Sequence, residues 1–138
     1  MGKLVRFSIS IEEELLAAFD KLIRSRGYTN RSEAIRDAIR SQLVHREWEE
    51  GEEVAGVITL LYDHHRPGIG EALTEIQHHA LPQVIASTHI HLDTVNCLEF
   101  IAVKGEAKAI ERLADRLISL KGVKHGDLVA TSTGKKLV

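Results

Sequence analysis

The chain has 138 residues, of which 43% are hydrophobic and 28% charged, an ordinary composition for one soluble globular domain or two small ones. No apolar run approaches the roughly 20 residues that a membrane-spanning helix needs, and no N-terminal signal peptide is visible, so neither a membrane protein nor a secreted one is expected. The single cysteine, Cys97, excludes an intramolecular disulfide and favours a reducing, cytoplasmic location.

Charge is unevenly distributed along the chain. Residues 1–46 contain nine Lys and Arg against six Asp and Glu, whereas residues 47–138 contain nine against fourteen. A basic segment attached to an acidic body indicates that any contact with DNA lies in the N-terminal part.

The N-terminal segment predicts one strand followed by two helices. Residues 4–11 alternate apolar and polar side chains, the period of a half-buried strand. Ser10 begins a capping box that predicts the start of a helix, and Gly27 ends that helix. Asn30 repeats the capping signal before a second amphipathic helix, which runs to about Arg46. A segment this short buries too little surface to be stable alone, so we expect two copies to pair their strands into an antiparallel ribbon over four helices.

The remainder of the chain predicts a second domain. Residues 48–53 are acidic and are interpreted as a linker between domains at 1–47 and 54–138. The expected order is strand, helix, strand, strand, helix, strand, at 54–63, 69–79, 83–92, 97–104, 105–121 and 126–133. This βαββαβ order predicts a ferredoxin-like fold with both helices on one face of the sheet. The fold class is therefore α+β. Because the first strand is apolar on both sides, we expect the open face of the sheet to pack on another subunit.

A group of potential metal ligands lies in the expected hairpin. His89 and His91 are two residues apart in a strand and so share a face. Cys97 begins the next strand after a short turn, which returns the thiol alongside the two imidazoles. Apolar side chains on the other side of the same strand are expected beneath the helices, which would place the histidines on the open face; they are Val84, Ala86, Ile90 and Leu92.

Two more histidines end the preceding predicted helix. His79 lies near the apolar side of that helix, whereas His78 points away and is the better candidate to reach a neighbouring subunit. Three imidazoles and a thiolate suit zinc, copper or nickel, and sequence spacing does not decide between these metals.

The sequence resembles the NikR family of nickel-responsive transcriptional repressors over nearly its whole length. The stretches R-F-S-I-S-I and R-G-Y-T-N-R-S-E-A-I-R-D resemble the ribbon-helix-helix signature, and H-I-H with C-L-E-F-I-A-V-K-G resembles the metal domain of the family. The family pattern H-x10-H-x-H-x5-C is met by His78, His89, His91 and Cys97. After His79 the chain continues with Ala80 and Leu81, where some relatives carry further histidines.

The resemblance implies a metal and an assembly. It implies one Ni²⁺ per chain in a square-planar site, with His78 given by a different subunit of a homotetramer. Glu99 and Tyr62 resemble residues that lie beside the ligands. Glu33 and Asp37, one helical turn apart, resemble a weaker metal site between domains.

The resemblance also implies binding to operator DNA and repression of nickel-uptake genes. Arg6, Ser8 and Ser10 resemble the ribbon side chains that enter the major groove, where Arg can bridge two acceptors of guanine. Asn30, Arg31 and Ser32 precede or begin a helix whose backbone N–H groups can hold a phosphate.

The predicted fold and the potential metal ligands are each compatible with one other function. An amino-acid-binding regulator is possible for a ferredoxin-like domain, but the histidine and cysteine set argues against it. A zinc hydrolase would need an open metal position for water, which four protein donors do not leave. The sequence shows no nucleophile–base arrangement, so we expect that the chain is not an enzyme.

Overall fold

A computed structural model describes residues 2–81 and 83–138. The chain forms two compact units, one comprising the chain through Leu43 together with Lys136–Val138 and the other Val44–Lys135. No helix among the described residues is long and apolar enough to cross a membrane. The elements in chain order are α1 (Glu13–Ser25), α2 (Arg31–Glu49), β1 (Glu53–Asp63), α3 (Ile69–His79), β2 (Val84–His91), β3 (Asn96–Glu106), α4 (Ala107–Ile118) and β4 (Val123–Thr131).

The two helices of the first unit begin in different ways. The side-chain oxygen of Asn30 accepts a hydrogen bond of 2.8 Å from the backbone N–H of Glu33, so the predicted cap of α2 is confirmed. Helix α1 begins after Glu12, which makes no capping hydrogen bond through its side chain. The prediction that Ser10 caps this helix is therefore wrong. The acidic side chains of the first turn, Glu13 among them, stabilise the start of α1 through the helix dipole instead.

Residues 2–12 are exposed and pair with no strand in the described part of the chain. Three large apolar side chains are mostly open to solvent, with Val5 79%, Phe7 69% and Ile9 64% exposed. A strand is stabilised by hydrogen bonds to a neighbouring strand, and the neighbour expected here is the same segment of a second copy. The strand at 4–11 and its pairing stay predictions.

The second unit contains an antiparallel four-stranded sheet in the order β2-β3-β1-β4. Helices α3 and α4 contribute to a single core on one face of this sheet. The predicted α+β, ferredoxin-like arrangement is therefore confirmed. The most buried side chains of the core are Val54, Ile58, Leu60, Leu73, Ile101, Val103, Ile110 and Leu117.

The other face of the sheet carries apolar side chains that the helices do not cover. Ile90 is 46% exposed, Phe100 37% and Val129 56%. These residues lie on three different strands, so the uncovered apolar surface extends across the sheet.

The segment expected as a linker at 48–53 is mostly ordered structure. Helix α2 continues to Glu49, and Trp48 is buried with its indole N–H donating a 2.8 Å hydrogen bond to the carbonyl oxygen of Thr131. The ring of Trp48 also lies close to Gly56 in β1. Packing of this aromatic side chain extends the helix, and only residues 50–52 lie outside a helix or strand. The domain limits of 1–47 and 54–138 remain predictions.

We expect Gly126→Ala to destabilise the protein because β4 packs closely at this position. An added Cβ would lie 2.6 Å from Cγ1 of Ile118 and 3.0 Å from the carbonyl oxygen of Thr59. Overpacking of this kind costs about 1–3 kcal/mol in the free energy of unfolding, measured by urea titration. Gly70→Ala is the matched control, since nothing lies within 4 Å of its added Cβ and alanine favours the helix. Equal losses in the two variants would contradict the packing argument.

Candidate metal centre

A tight hairpin joins β2 to β3, as the sequence predicted. One carboxylate oxygen of Asp93 accepts hydrogen bonds from the backbone N–H groups of Val95 at 2.8 Å and Asn96 at 2.7 Å. The side-chain hydrogen bond from Asn96, followed by these backbone bonds, lowers the pKa of Asp93 to about 2. Below the hairpin, His91 lies opposite Cys97 in the strand register.

The helix-covered face of the sheet carries the two strand histidines. His89 lies opposite Glu99 and His91 opposite Cys97. Glu99 and Cys97 are buried, and residues directly opposite one another in an antiparallel pair project to the same side. The prediction that His89 and His91 occupy the open face is therefore wrong. Ile90, expected beneath the helices, lies on the open face.

A β-bulge explains this error. Apolar alternation in the sequence assigned Val84 and Ala86 to the same face. The register of β2 shifts between these two residues, so that Val84 lies opposite the buried Val103 whereas Ala86 lies opposite Ala102 on the other side. The extra residue of a bulge reverses which face the following side chains occupy.

Two imidazoles flank the thiol of Cys97. The sulfur lies 3.2 Å from Nδ1 of His91 and 3.4 Å from Nδ1 of His64. The potential ligand atoms of these three residues all lie within 4.8 Å of one another. The cluster therefore places three donors of the kind that bind borderline metal ions at one end of the sheet.

His64 is a site residue that the sequence interpretation missed. Strand β1 pairs with β3 so that Tyr62 lies opposite Cys97, and the backbone N–H of His64 continues the pairing with a 3.2 Å hydrogen bond to the carbonyl of Val95. The two consecutive histidines after the first strand were a visible signal. Only the pairing of β1 with β3 shows that one of them reaches the thiol.

The other two predicted ligands are placed differently. The ring of His89 lies 5.7 Å, between centroids, from that of His91 on the same face, but His89 does not belong to the three-residue donor group. His78 is exposed at the end of α3, where its ring contacts that of His79. Within one chain, the described structure brings together Cys97 and His91 and does not bring His78 to them.

A buried carboxylate connects three elements beside the cluster. Glu99 accepts a 3.1 Å hydrogen bond from the hydroxyl of Tyr62 and a 2.6 Å bond from the side-chain amide of Gln77. Burial, followed by the charge of Glu99, raises the pKa of Tyr62 well above its ordinary value, which keeps the hydroxyl a donor. Gln77, which the sequence interpretation also missed, immediately precedes His78. Its bond to Glu99 ties the end of α3 to the strand that carries Cys97.

The same surroundings act on the thiol. Burial, followed by the negative charge of Glu99, raises the pKa of Cys97. The thiol is therefore protonated at neutral pH, and a metal must displace this proton to bind sulfur. A thiolate with neighbouring imidazoles is a chemically suitable donor set for nickel, copper or zinc. The residues present thus fit such an ion.

Both carboxylates of the pair predicted as a second metal site already bond to other side chains of the chain. Asp37 accepts 2.6 Å hydrogen bonds from both the hydroxyl of Tyr28 and the guanidinium of Arg40. The bond from Tyr28, more than any other contact, lowers the pKa of Asp37. Glu33 pairs with Arg36 at 2.5 Å and more loosely with Arg40 at 3.5 Å. In this arrangement the two carboxylates do not offer free oxygens to a cation, and the second site stays a prediction.

The residues predicted to contact DNA fall into two groups. Arg6, Ser8 and Ser10 are exposed in the unpaired N-terminal segment, and Ser32 is exposed in the first turn of α2. The other two residues have hydrogen-bond partners within the chain. Asn30 caps α2, and Arg31 donates two hydrogen bonds to Asp20, at 2.8 and 2.7 Å. The hydrogen bond from Arg31 lowers the pKa of Asp20, so this ion pair holds α1 against α2. The contacts of these residues with DNA stay predictions.

Comparison with known proteins identifies the family. Residues 55–131 match the model of the NikR C-terminal nickel-binding domain, and residues 5–45 match that of the ribbon-helix-helix proteins of the copG family. The chain belongs to the NikR family. A relative from Pyrococcus horikoshii, named as a nickel-responsive regulator, is 58% identical over 99% of both chains. Relatives from Thermococcus kodakarensis and Geotalea uraniireducens with the same assignment are 55% and 54% identical, again over 99% of both chains.

The relatives are named as regulators and not as enzymes, so the expectation that the chain is not an enzyme is confirmed. A solved structure of an uncharacterised protein from Thermotoga maritima is similar to the chain with a TM-score of 0.52. It covers 57% of this chain and 98% of its own, at 16% identity, and shows a likeness of fold alone.

We expect Glu99→Gln to lower the pKa of the Cys97 thiol in metal-free protein. The substitution removes the second largest cause of the raised pKa, and burial, the largest cause, remains, so the pKa should stay above that of an exposed cysteine. The measurement is the rate of alkylation by iodoacetamide as a function of pH. Asp115→Asn, on the exposed side of α4, is the control and should leave the profile unchanged. Identical profiles for wild type and Glu99→Gln would show that the carboxylate does not act on the thiol.

Proposed function

We propose that this NikR-family protein is a nickel-dependent transcriptional regulator. It binds operator DNA through a paired N-terminal ribbon when Ni²⁺ is held by His78, His89, His91 and Cys97, and it represses genes for nickel uptake. The observation that carries the proposal is the buried thiol of Cys97 with imidazole nitrogens at 3.2 and 3.4 Å. No catalytic step is required of this centre, which acts as a sensor in the cytoplasm.

The division of the ligands between subunits follows from where the side chains lie. His89, His91 and Cys97 share one face of the β2–β3 hairpin, so one chain can supply all three. His78 is exposed at the end of α3 and is free to reach a neighbouring copy. One ion per chain would then supply a cross-link between subunits. Gln77 holds the end of α3 through Glu99 and so orients the residue that follows it.

His64 has a separate role in this proposal. Its Nδ1 and that of His91 both lie within hydrogen-bonding distance of the Cys97 sulfur, at 3.4 and 3.2 Å. A thiol bonded in this way is held on the metal-binding side of the hairpin. His64 therefore positions the sulfur, and the fourth ligand comes from another subunit.

Two uncovered apolar surfaces support assembly into a homotetramer. The N-terminal segment exposes Val5 and Phe7, which a second ribbon strand would cover. The open face of the sheet exposes Ile90, Phe100 and Val129, which a second sheet would cover. Two self-complementary contacts of this kind, at different places on the chain, build a closed dimer of dimers.

The ribbon would present polar side chains to DNA. Alternation places Arg6, Ser8 and Ser10 on the side opposite the apolar residues, and a two-stranded ribbon fits the major groove. The start of α2 at Asn30 to Ser32 would hold a phosphate through backbone N–H groups. The ion pair between Arg31 and Asp20 keeps the two helices of the unit together while the ribbon contacts the bases.

The subunit origin of the fourth ligand can be tested by mixing variants. His78→Ala and Cys97→Ala should each lose tight Ni²⁺ binding and the thiolate-to-nickel absorption band. Unfolding the two together and refolding them should restore part of the band, because His78 from one chain then meets Cys97 from the other. His79→Ala, one residue away and equally exposed, should retain one Ni²⁺ per chain. Titration with Ni²⁺ followed by visible absorption gives both the stoichiometry and the band.

The absence of recovery in the mixture would show that His78 serves its own chain, whereas a band retained by His78→Ala alone would show that His78 is not a ligand. His64→Ala tests whether His64 is itself a ligand. We expect this variant to keep the band, because His64 only positions the sulfur, and to alter the alkylation rate of Cys97. Loss of the band in His64→Ala with its retention in His78→Ala would replace His78 by His64 as the fourth donor.

DNA binding should separate from metal binding in two further variants. Arg6→Ala should lose specific operator binding yet keep its Ni²⁺ affinity, because a lost bidentate contact to guanine costs about 1–3 kcal/mol in each copy. His89→Ala should bind DNA weakly with a steep dependence on salt, and added Ni²⁺ should not tighten it. Fluorescence anisotropy with labelled operator, with and without Ni²⁺, measures both. A gain in affinity on adding nickel to His89→Ala would exclude this site as the sensor.

A further inference from the structure

A groove outside the metal centre lies where the end of α3 meets α4. Its volume is about 330 Å³, and its lining comes from the residue that follows α3, the segment before β2 and one side of α4. Short or apolar side chains form the floor and polar ones the rim. The lining residues are Ala80, Gln83, Ala109, Arg112, Leu113 and Arg116.

The two arginines of the groove have no counter-charge within the described residues. Arg112 and Arg116 are exposed, and neither side chain makes an ion pair or hydrogen bond there. Asp115, between them on the same helix, lies beyond ion-pairing distance of both. By contrast Lys108, one turn earlier in the same row, pairs with Glu111 at 3.6 Å.

This arrangement is unfavourable for an isolated helix. Like charges four residues apart face one another on a helix and destabilise it. An anion between the two guanidinium groups reverses the sign of that interaction and can accept hydrogen bonds from both. The side chain of Leu113 and the methyl groups of Ala80 and Ala109 offer apolar contact beside that position.

We propose that the groove binds a small organic anion that carries one carboxylate or phosphate group beside a short apolar group. Arg112 and Arg116 hold the oxyanion, and the floor formed by Ala80, Ala109 and Leu113 holds the apolar part. Gln83 also lines the groove, and its backbone N–H donates a 2.8 Å hydrogen bond to the carbonyl of Ala80. The ligand lies apart from the cysteine and histidine cluster, and its binding does not depend on nickel.

The test is calorimetric titration of the full-length protein at about 0.15 M salt, where weak surface attraction is screened. Four probes separate charge from apolar contact: isovalerate, butyl phosphate, inorganic phosphate and the uncharged isovaleramide. We expect isovalerate or butyl phosphate to bind at least tenfold more tightly than isovaleramide and than inorganic phosphate. Which of the two binds more tightly identifies the oxyanion as a carboxylate or a phosphate.

Variants locate the site. Arg112→Gln with Arg116→Gln should weaken binding at least tenfold without unfolding the protein, since both side chains are exposed. Lys108→Gln, the next cation of the row but outside the groove, should bind as wild type does. The absence of binding by either organic anion at 10 mM, or equal binding by the double variant, would overturn the proposal. Equal affinity for inorganic phosphate would overturn the assigned role of the apolar floor.

Discussion

The antiparallel pairing of β1 with β3 is the constraint on which the structure of the second unit depends. The two strands pair over their full lengths, from Glu53 opposite Glu106 to Asp63 opposite Asn96. A slip of one residue would turn every side chain of β3 to the opposite face and would carry Cys97 and Glu99 out of the buried layer. The same register brings the end of β1 beside the thiol. The core and the cluster therefore depend on one alignment of two strands.

The cluster places polar groups at the edge of an apolar core, and hydrogen bonds offset the unfavourable free energy of burying them. A buried carboxylate without hydrogen-bond partners is strongly unfavourable. Glu99 receives one bond from Tyr62 and one from Gln77, so each of its oxygens has a partner. These bonds join β1, β3 and α3 at the point where the ligand-bearing segments meet. Burial, followed by the charge of this carboxylate, raises the pKa of Cys97, which keeps the thiol neutral until a metal replaces its proton.

Exposed and buried carboxylates of the chain have different kinds of partner. In the first unit carboxylates meet arginines, as in the pairs Arg31 with Asp20 and Arg40 with Asp37. Both ion pairs are partly open to solvent, so each contributes little to stability. In the second unit the acidic side chain that matters most is buried and is bonded to neutral donors.

The sequence by itself determined the order of the elements from α1 onward, the capping of α2 by Asn30, the hairpin that returns Cys97 to His91, and the family. Each of these rests on local periodicity, short turns or a motif of adjacent residues. Only the tertiary structure showed that His89 and His91 lie on the covered face. A single bulge after Val84 reverses the faces that the following side chains occupy, and the apolar alternation in the sequence does not reveal it. The tertiary structure also brought His64 and Gln77 to the site, from positions 33 and 22 residues before their partners. Contacts across such separations depend on strand register and helix packing, and no periodicity within a single segment records them.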